Sequence, residues 1–181
     1  MSQQTDKPLP DIDALFELFR AEDYMPEYQT VPGEEVPEPY NSLLVHEHHM
    51  TVTVEKYHGT LVDVRVLAEH QTGDTYSRKI LLTRQTDGQV VMFGVVRIHF
   101  RYCSEKVRDE ILQRKTPLGR ILIQNDVLRR IEPTGFFQTN PGPDLMKWFD
   151  LATATPAYGR FALIHCDEQP AIELIEIVAP E

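Results

Sequence analysis

Two charged residues stand where the inner row of a strand needs apolar ones. In Tyr76–Arg84 a period of two puts Arg78 in one row with Ile80 and Leu82. A guanidinium cannot shed its proton there, so it must meet an anion. An internal carboxylate can supply it, or a ligand carboxylate held through two parallel hydrogen bonds can. In Ala171–Val178 the same period puts Glu176 with Ile172, Leu174 and Val178, and Glu173 on the other face with Ile175 and Ile177. Desolvation penalises a carboxylate among aliphatic neighbours, so such a group favours its protonated form and can act as a general acid. The alternative is that Glu176 pairs with Arg78 or another base.

His46, His48 and His49 offer three imidazoles within four residues. On an extended chain His46 and His48 share one face and His49 takes the other. The spacing is not HExxH, and no cysteine pair supports a structural zinc site. No metal is expected, and the three are read as polar strand-edge or rim residues. A metal-dependent hydrolase built on them would require bound stoichiometric metal. Residues 97–130 hold nine bases, Arg97 among them, against four acids, a net charge of +5. They read either as solvated helix faces laced with ion pairs or as a positive mouth that draws in a small anion.

The elements that must carry these residues follow from periodicity. Thr51–Tyr57 is β-branched and alternating, with His58-Gly59 as its turn, and Thr60–Leu67 answers it as a second strand. Tyr76–Arg84 and Val90–Phe100 are strands joined at Asp87-Gly88. Gly94, inside the second of these, marks a bulge or the close approach of a ligand. Ser104 caps a helix with Val107, Ile111 and Leu112 inward, and Thr116-Pro117 opens a short helix through Leu122. Gln124–Gln138 is ambiguous and part of it reads as strand; Thr139–Pro156 is loop-like around an apolar patch at Leu145–Leu151. Tyr158–Cys166 and Ala171–Val178 are the last strands. Four early strands, helices and two late strands predict an α+β domain with a mostly antiparallel sheet.

The 181 residues correspond to one domain, at roughly 100–200 residues each. Residues 1–40 form an arm with ten acids, two bases and six of the 13 prolines. One short amphipathic helix is expected there, with Ile12, Leu15, Phe16, Leu18 and Phe19 on its apolar side after Asp11, then irregular chain through Tyr40. The domain proper is 41–181. A net charge of −10 argues against a general nucleic-acid partner. Two cysteines make no disulfide framework, no apolar run of about 18 residues spans a membrane, and no signal peptide opens the chain. A cytoplasmic protein with no room for a separate output domain is expected.

The ordered set Tyr76-Ser-Arg-Lys-Ile-Leu-Leu82, Asp87-Gly88, Gly94, Lys115-Thr-Pro-Leu-Gly-Arg120, Tyr158-Gly-Arg160 and Glu176-Ile-Val-Ala-Pro180 resembles the chorismate pyruvate-lyase family. His49-Met50-Thr51 is similar to that family's early segment, and the resemblance covers residues 43–180. It implies a six-stranded antiparallel sheet with helical flaps over a buried ligand cavity. It implies a cofactor-free lyase that splits chorismate into 4-hydroxybenzoate and pyruvate, or a non-catalytic binder or sensor of a small aromatic carboxylate in the same cavity. Arg78 matches the arginine on the ring carboxylate and Glu176 the glutamate at the hydroxyl end. Met50 resembles a methionine packed on the ring, and Leu118 with Gly119 the turn whose backbone meets the ligand. The chain departs from the family in three places. One extra residue before Glu176 keeps Glu173 as a competitor. Val95 stands where the family has arginine, with Arg97 as the substitute. The loop at 139–156 is expanded.

Overall fold

The computed structural model describes residues 12–17 and 27–181. One antiparallel sheet runs β1 (Tyr28–Val31), β5 (Arg129–Thr139), β6 (Ala157–Cys166), β7 (Gln169–Val178), β4 (Val90–His99), β3 (Thr75–Arg84), β2 (Val62–Thr72) from edge to edge. Six helices among the described residues complete it: α1 (Ile12–Glu17), α2 (Tyr40–Leu44), α3 (Met50–His58), α4 (Glu105–Leu112), α5 (Leu118–Gln124) and α6 (Pro143–Trp148). The class is α+β as expected, with seven strands rather than six.

The difference in count has three sources. Thr51–Tyr57, expected as a strand, lies inside α3. Its buried positions, Met50, Thr51 and Val54, follow the helical period, and Gly59 closes the helix in the left-handed conformation at φ 64°. Burial at i and i+4 overrides the β-propensity of the TVTV run. The ambiguous stretch supplies all of β5 but Thr139, and the arm is not irregular throughout, because β1 pairs with β5 from Tyr28↔Thr139 to Val31↔Phe136. In the arm's helix Leu15 is fully buried; Asp11, Leu18 and Phe19 lie outside the described residues. Pro143–Trp148, read as loop, is α6 with proline in its first turn. Ser104 caps α4 as expected by accepting from the Val107 backbone N–H at 3.2 Å. α5 opens one residue later than expected, with Pro117 as its cap.

The sheet has two covered faces. On one, Tyr76, Val96, Ile98, Ile164 and Leu174 pack under Val107 and Ile111 of α4 and Ile121 and Leu122 of α5. Beside them Ile80, Leu82, Met92 and Val178 pack under Leu43 and Leu44 of α2 and Met50 and Val54 of α3. On the other face Leu81, Phe93, Val95, Phe161, Ile175 and Ile177 pack under Leu15 of α1 and Leu145 of α6. Each strand therefore sends alternate residues to different cores, and this parity decides which polar residues share a site.

Candidate functional site

Between the two clusters on the first face lies about 480 Å³ of empty space, part of it open to solvent. β3 contributes Arg78, Ile80 and Leu82 to its floor, β4 Met92, Gly94 and Val96, and β7 Leu174 and Glu176. Its roof is the start of α3, with His49, Met50 and Thr51, and the start of α5, with Leu118 and Gly119. The two helix starts touch. A Cβ on Gly119 would lie 3.0 Å from both His49 Cβ and Thr51 Oγ1, so a larger residue would push α5 and the start of α3 apart by a few tenths of an ångström. Arg120 of α5 forms a salt bridge with Glu55 of α3, and Glu55 also accepts from the Val62 backbone N–H at 3.0 Å.

Five of the expected site residues, Arg78, Glu176, Met50, Leu118 and Gly119, line this one cavity. Arg97 and Glu173 do not. They pair directly across β4 and β7 on the opposite face, where Arg97 donates to both Glu173 oxygens at 2.5 and 2.7 Å. His99 Nε2 lies 3.0 Å from the same carboxylate. Burial pushes the Glu173 carboxyl up, but the hydrogen bonds from Arg97 and His99 outweigh it and hold it at about 2. Val95 faces the same side as Arg97, so neither reaches the cavity.

Arg78 is 1% exposed. Nη1 donates to the Ile111 carbonyl at 3.3 Å, and Nε has no partner. Among the described residues its guanidinium forms no salt bridge. The neighbouring Tyr76 hydroxyl donates to Glu69 at 2.7 Å, and its oxygen is an acceptor for the guanidinium. Burial lowers the Arg78 pKa, with Tyr76 and Glu69 acting against it. A buried cation with an unmade donor, in a chamber that also holds Glu176, His49 and Thr51, can chemically receive an oxyanion.

Glu176 has a different environment. It lies opposite Arg160 in the β6–β7 register, and Arg160 Nε donates to its Oε2 at 2.7 Å. Arg160 is fully buried. Its remaining nitrogens donate to the carbonyls of Leu44 (3.4 Å), His46 (3.0 Å) and His48 (3.1 Å). One guanidinium thus fastens the segment before α3 to the sheet, and Glu176 neutralises it. In the sequence Arg160 stands only as part of Tyr158-Gly-Arg160; its carbonyl partners lie more than a hundred residues away.

The three histidines divide by environment. His46 Nε2 bonds the Leu43 carbonyl at 2.7 Å, and His49 Nε2 accepts from Arg129 Nε at 2.6 Å. Burial, aided by Arg160 for His46 and by Arg129 for His49, lowers both to about 4. His46 and His48 stack with ring centres 5.5 Å apart. Among the described residues no group of three or more His, Cys, Asp or Glu side chains is placed to hold a metal ion.

No family model matches the sequence, and no curated protein matches it. Solved structures do match the fold. PhnF from Mycobacterium smegmatis aligns with a TM-score of 0.57 at 13% identity, over 75% of this chain and 65% of that one. The effector domain of PhnF from the same organism aligns with a TM-score of 0.57 at 13% identity, over 73% of this chain and 88% of that one. The chain thus spans a little less than two thirds of PhnF. At this identity the likeness is one of fold, a chorismate lyase-like fold.

The expectation of a chorismate-cleaving enzyme is corrected here. The fold implied by that resemblance is equally the fold of the PhnF effector domain, so the fold carries no argument for catalysis. Inside the cavity, the carboxyl expected to serve as general acid is the salt-bridge partner of Arg160. The expectation that nucleic acid plays no part is narrowed as well. The charge of −10 describes this chain's surface, whereas PhnF is longer than the matched region. No helix among the described residues is long and apolar enough to cross a membrane.

Proposed function

We propose that this is a regulatory ligand-binding domain whose cavity takes a small organic anion with a flat apolar body. The observation that carries the reading is Arg78, a buried guanidinium with an unpartnered Nε in a chamber lined by Ile80, Leu82, Met92 and Leu174. A carboxylate placed there completes a charge-assisted pair and removes the cost of an orphaned donor, about 1–3 kcal/mol. Met50 and Leu118 close over the apolar body from the roof, and the Gly119 backbone lies at the same opening. Glu176, held by Arg160, forms the polar end of the wall and accepts from a ligand hydroxyl. An aromatic monocarboxylate such as 4-hydroxybenzoate has this pattern of an anion, a flat ring and a hydroxyl.

The likeness to the effector domain of PhnF supports a sensing role. In a regulator built on such a domain, contact with DNA falls to a separate module, since this domain is strongly acidic. The free thiols of Cys103 and Cys166 fit a reducing, cytoplasmic setting. The experiment is a calorimetric titration with 4-hydroxybenzoate, benzoate and benzamide, run beside a pyruvate assay with chorismate. One-site binding of the two acids, weak binding of the neutral amide and no pyruvate above the spontaneous background are expected. Failure to bind any carboxylate, or sustained pyruvate release, overturns the reading.

A further inference from the structure

Outside the cavity roof runs a groove with about 1090 Å³ of empty space, between the segment around Glu47–Val52 and the segment Ile123–Ile131. Among the described residues His49 is the one that lines both groove and cavity, so it stands between them. On the inner side the partition is tight, since a methyl group on Gly119 would lie 3.0 Å from His49 Cβ. Toward the groove the ring is held by one hydrogen bond, from Arg129 Nε at 2.6 Å. Arg129 is half-buried and also donates from Nη1 to the Val127 carbonyl at 3.1 Å; among the described residues it forms no salt bridge. Its neighbour Arg130, by contrast, pairs with Glu132.

We infer that the His49–Arg129 contact is the latch on the route by which an anionic ligand enters the cavity, and that Arg129 is the first group to receive it. The purpose of the latch rests on the ligand-binding reading; its existence does not. A neutral imidazole is a weaker partner for a guanidinium than a carboxylate, because only the carboxylate makes the bond charge-assisted on both sides. An arriving carboxylate therefore displaces His49 from Arg129. The freed ring swings out of the partition, and the ligand passes inward to the unpartnered Nε of Arg78. The exposed apolar side chains of Val52, Ile123 and Leu128 line the approach and suit the ligand's apolar body. The same latch stays shut to neutral molecules, which cannot compete for Arg129.

The test needs no ligand. In the full chain with Cys103→Ser and Cys166→Ala, a thiol is introduced on the cavity floor by Val96→Cys. Its rate of reaction with the small neutral reagent methyl methanethiosulfonate is then measured. Adding Arg129→Met is expected to raise that rate tenfold or more. His49→Ala should do the same, while His49→Gln, which keeps an acceptor for Arg129, should stay within about threefold of the parent. A parallel chain with Val95→Cys, on the opposite face of the same strand, reports global opening and should not change with any of these substitutions. Equal rates at the Val96→Cys thiol in the parent, Arg129→Met and His49→Ala chains would overturn the latch. So would acceleration that appears equally in the Val95→Cys chain. A calorimetric failure to bind carboxylates would strike the ligand reading and leave these rates to decide the latch by themselves.

Discussion

Arg78 and Arg160 are both buried arginines on one sheet, and their partners separate their roles. Arg160 has a carboxylate and three backbone carbonyls, so its charge is spread over groups of the protein. Arg78 has one carbonyl at 3.3 Å, the Tyr76 hydroxyl and an empty Nε. Truncating them should therefore act in opposite ways. Arg160→Met leaves Glu176 buried without its cation and releases the chain before α3; a loss of about 3–5 kcal/mol in urea unfolding is expected. Arg78→Met removes a buried charge that no carboxylate contacts directly and keeps the volume, so stability should hold or rise while binding of 4-hydroxybenzoate is lost. Equal destabilisation by both substitutions would show Arg78 to be a structural group. Strand parity was enough to single out Arg78 and Glu176, because a charge in an apolar row is a local irregularity. Parity also separated Glu173 from Glu176 by face. It could not select the partner of Glu176, since strand order is not written in any one strand. Only the β6–β7 register places Arg160 opposite it.

At the scale of elements, Gly94 and Gly119 shape the chamber from below and above. A side chain on Gly94 would project from the floor of β4, meeting Ile80 and Met92 at 3.4 Å, an ordinary contact. Gly94→Val should thus fold normally, helped by valine's preference for strands, while filling the slot and abolishing carboxylate binding. Unchanged affinity in that variant would place the ligand elsewhere. The strands of the central sheet were legible because both their faces are buried and turns such as Asp87-Gly88 punctuate them. The roof was not. α3 carries five residues with strand preference, and its helical period becomes evident only from what it buries. β1 is a four-residue edge strand with an exposed pattern, too short and too polar to stand out within an acidic arm. The candidate cavity was therefore readable as a floor, with its roof residues placed by resemblance alone.

For the whole molecule, titration gives an independent check on the packing around the roof. His46 and His49 lie near 4 in the folded protein against an ordinary 6.5, first through burial and then through nearby arginines. A depressed folded pKa means that the unfolded chain binds the extra protons. The stability from these two groups is present above about pH 6.5 and falls as the pH drops toward 4. Glu173, near 2 against an ordinary 4.5, extends the loss from about pH 4.5 down to 2. Urea midpoints measured from pH 8 to pH 3 should therefore begin to fall near pH 6.5, and His49→Gln should flatten the first part of that fall. A midpoint constant from pH 7 to pH 5 would contradict the burial of both rings. The central claim, that Arg78 receives a ligand carboxylate, is met most directly by a double-mutant cycle. Affinities of 4-hydroxybenzoate and 4-hydroxybenzamide would be measured on the wild-type chain and on Arg78→Met. The account predicts that the acid's advantage over the amide on the wild-type chain disappears in the variant, a coupling of about 2 kcal/mol or more. An advantage of the same size in both proteins would contradict it.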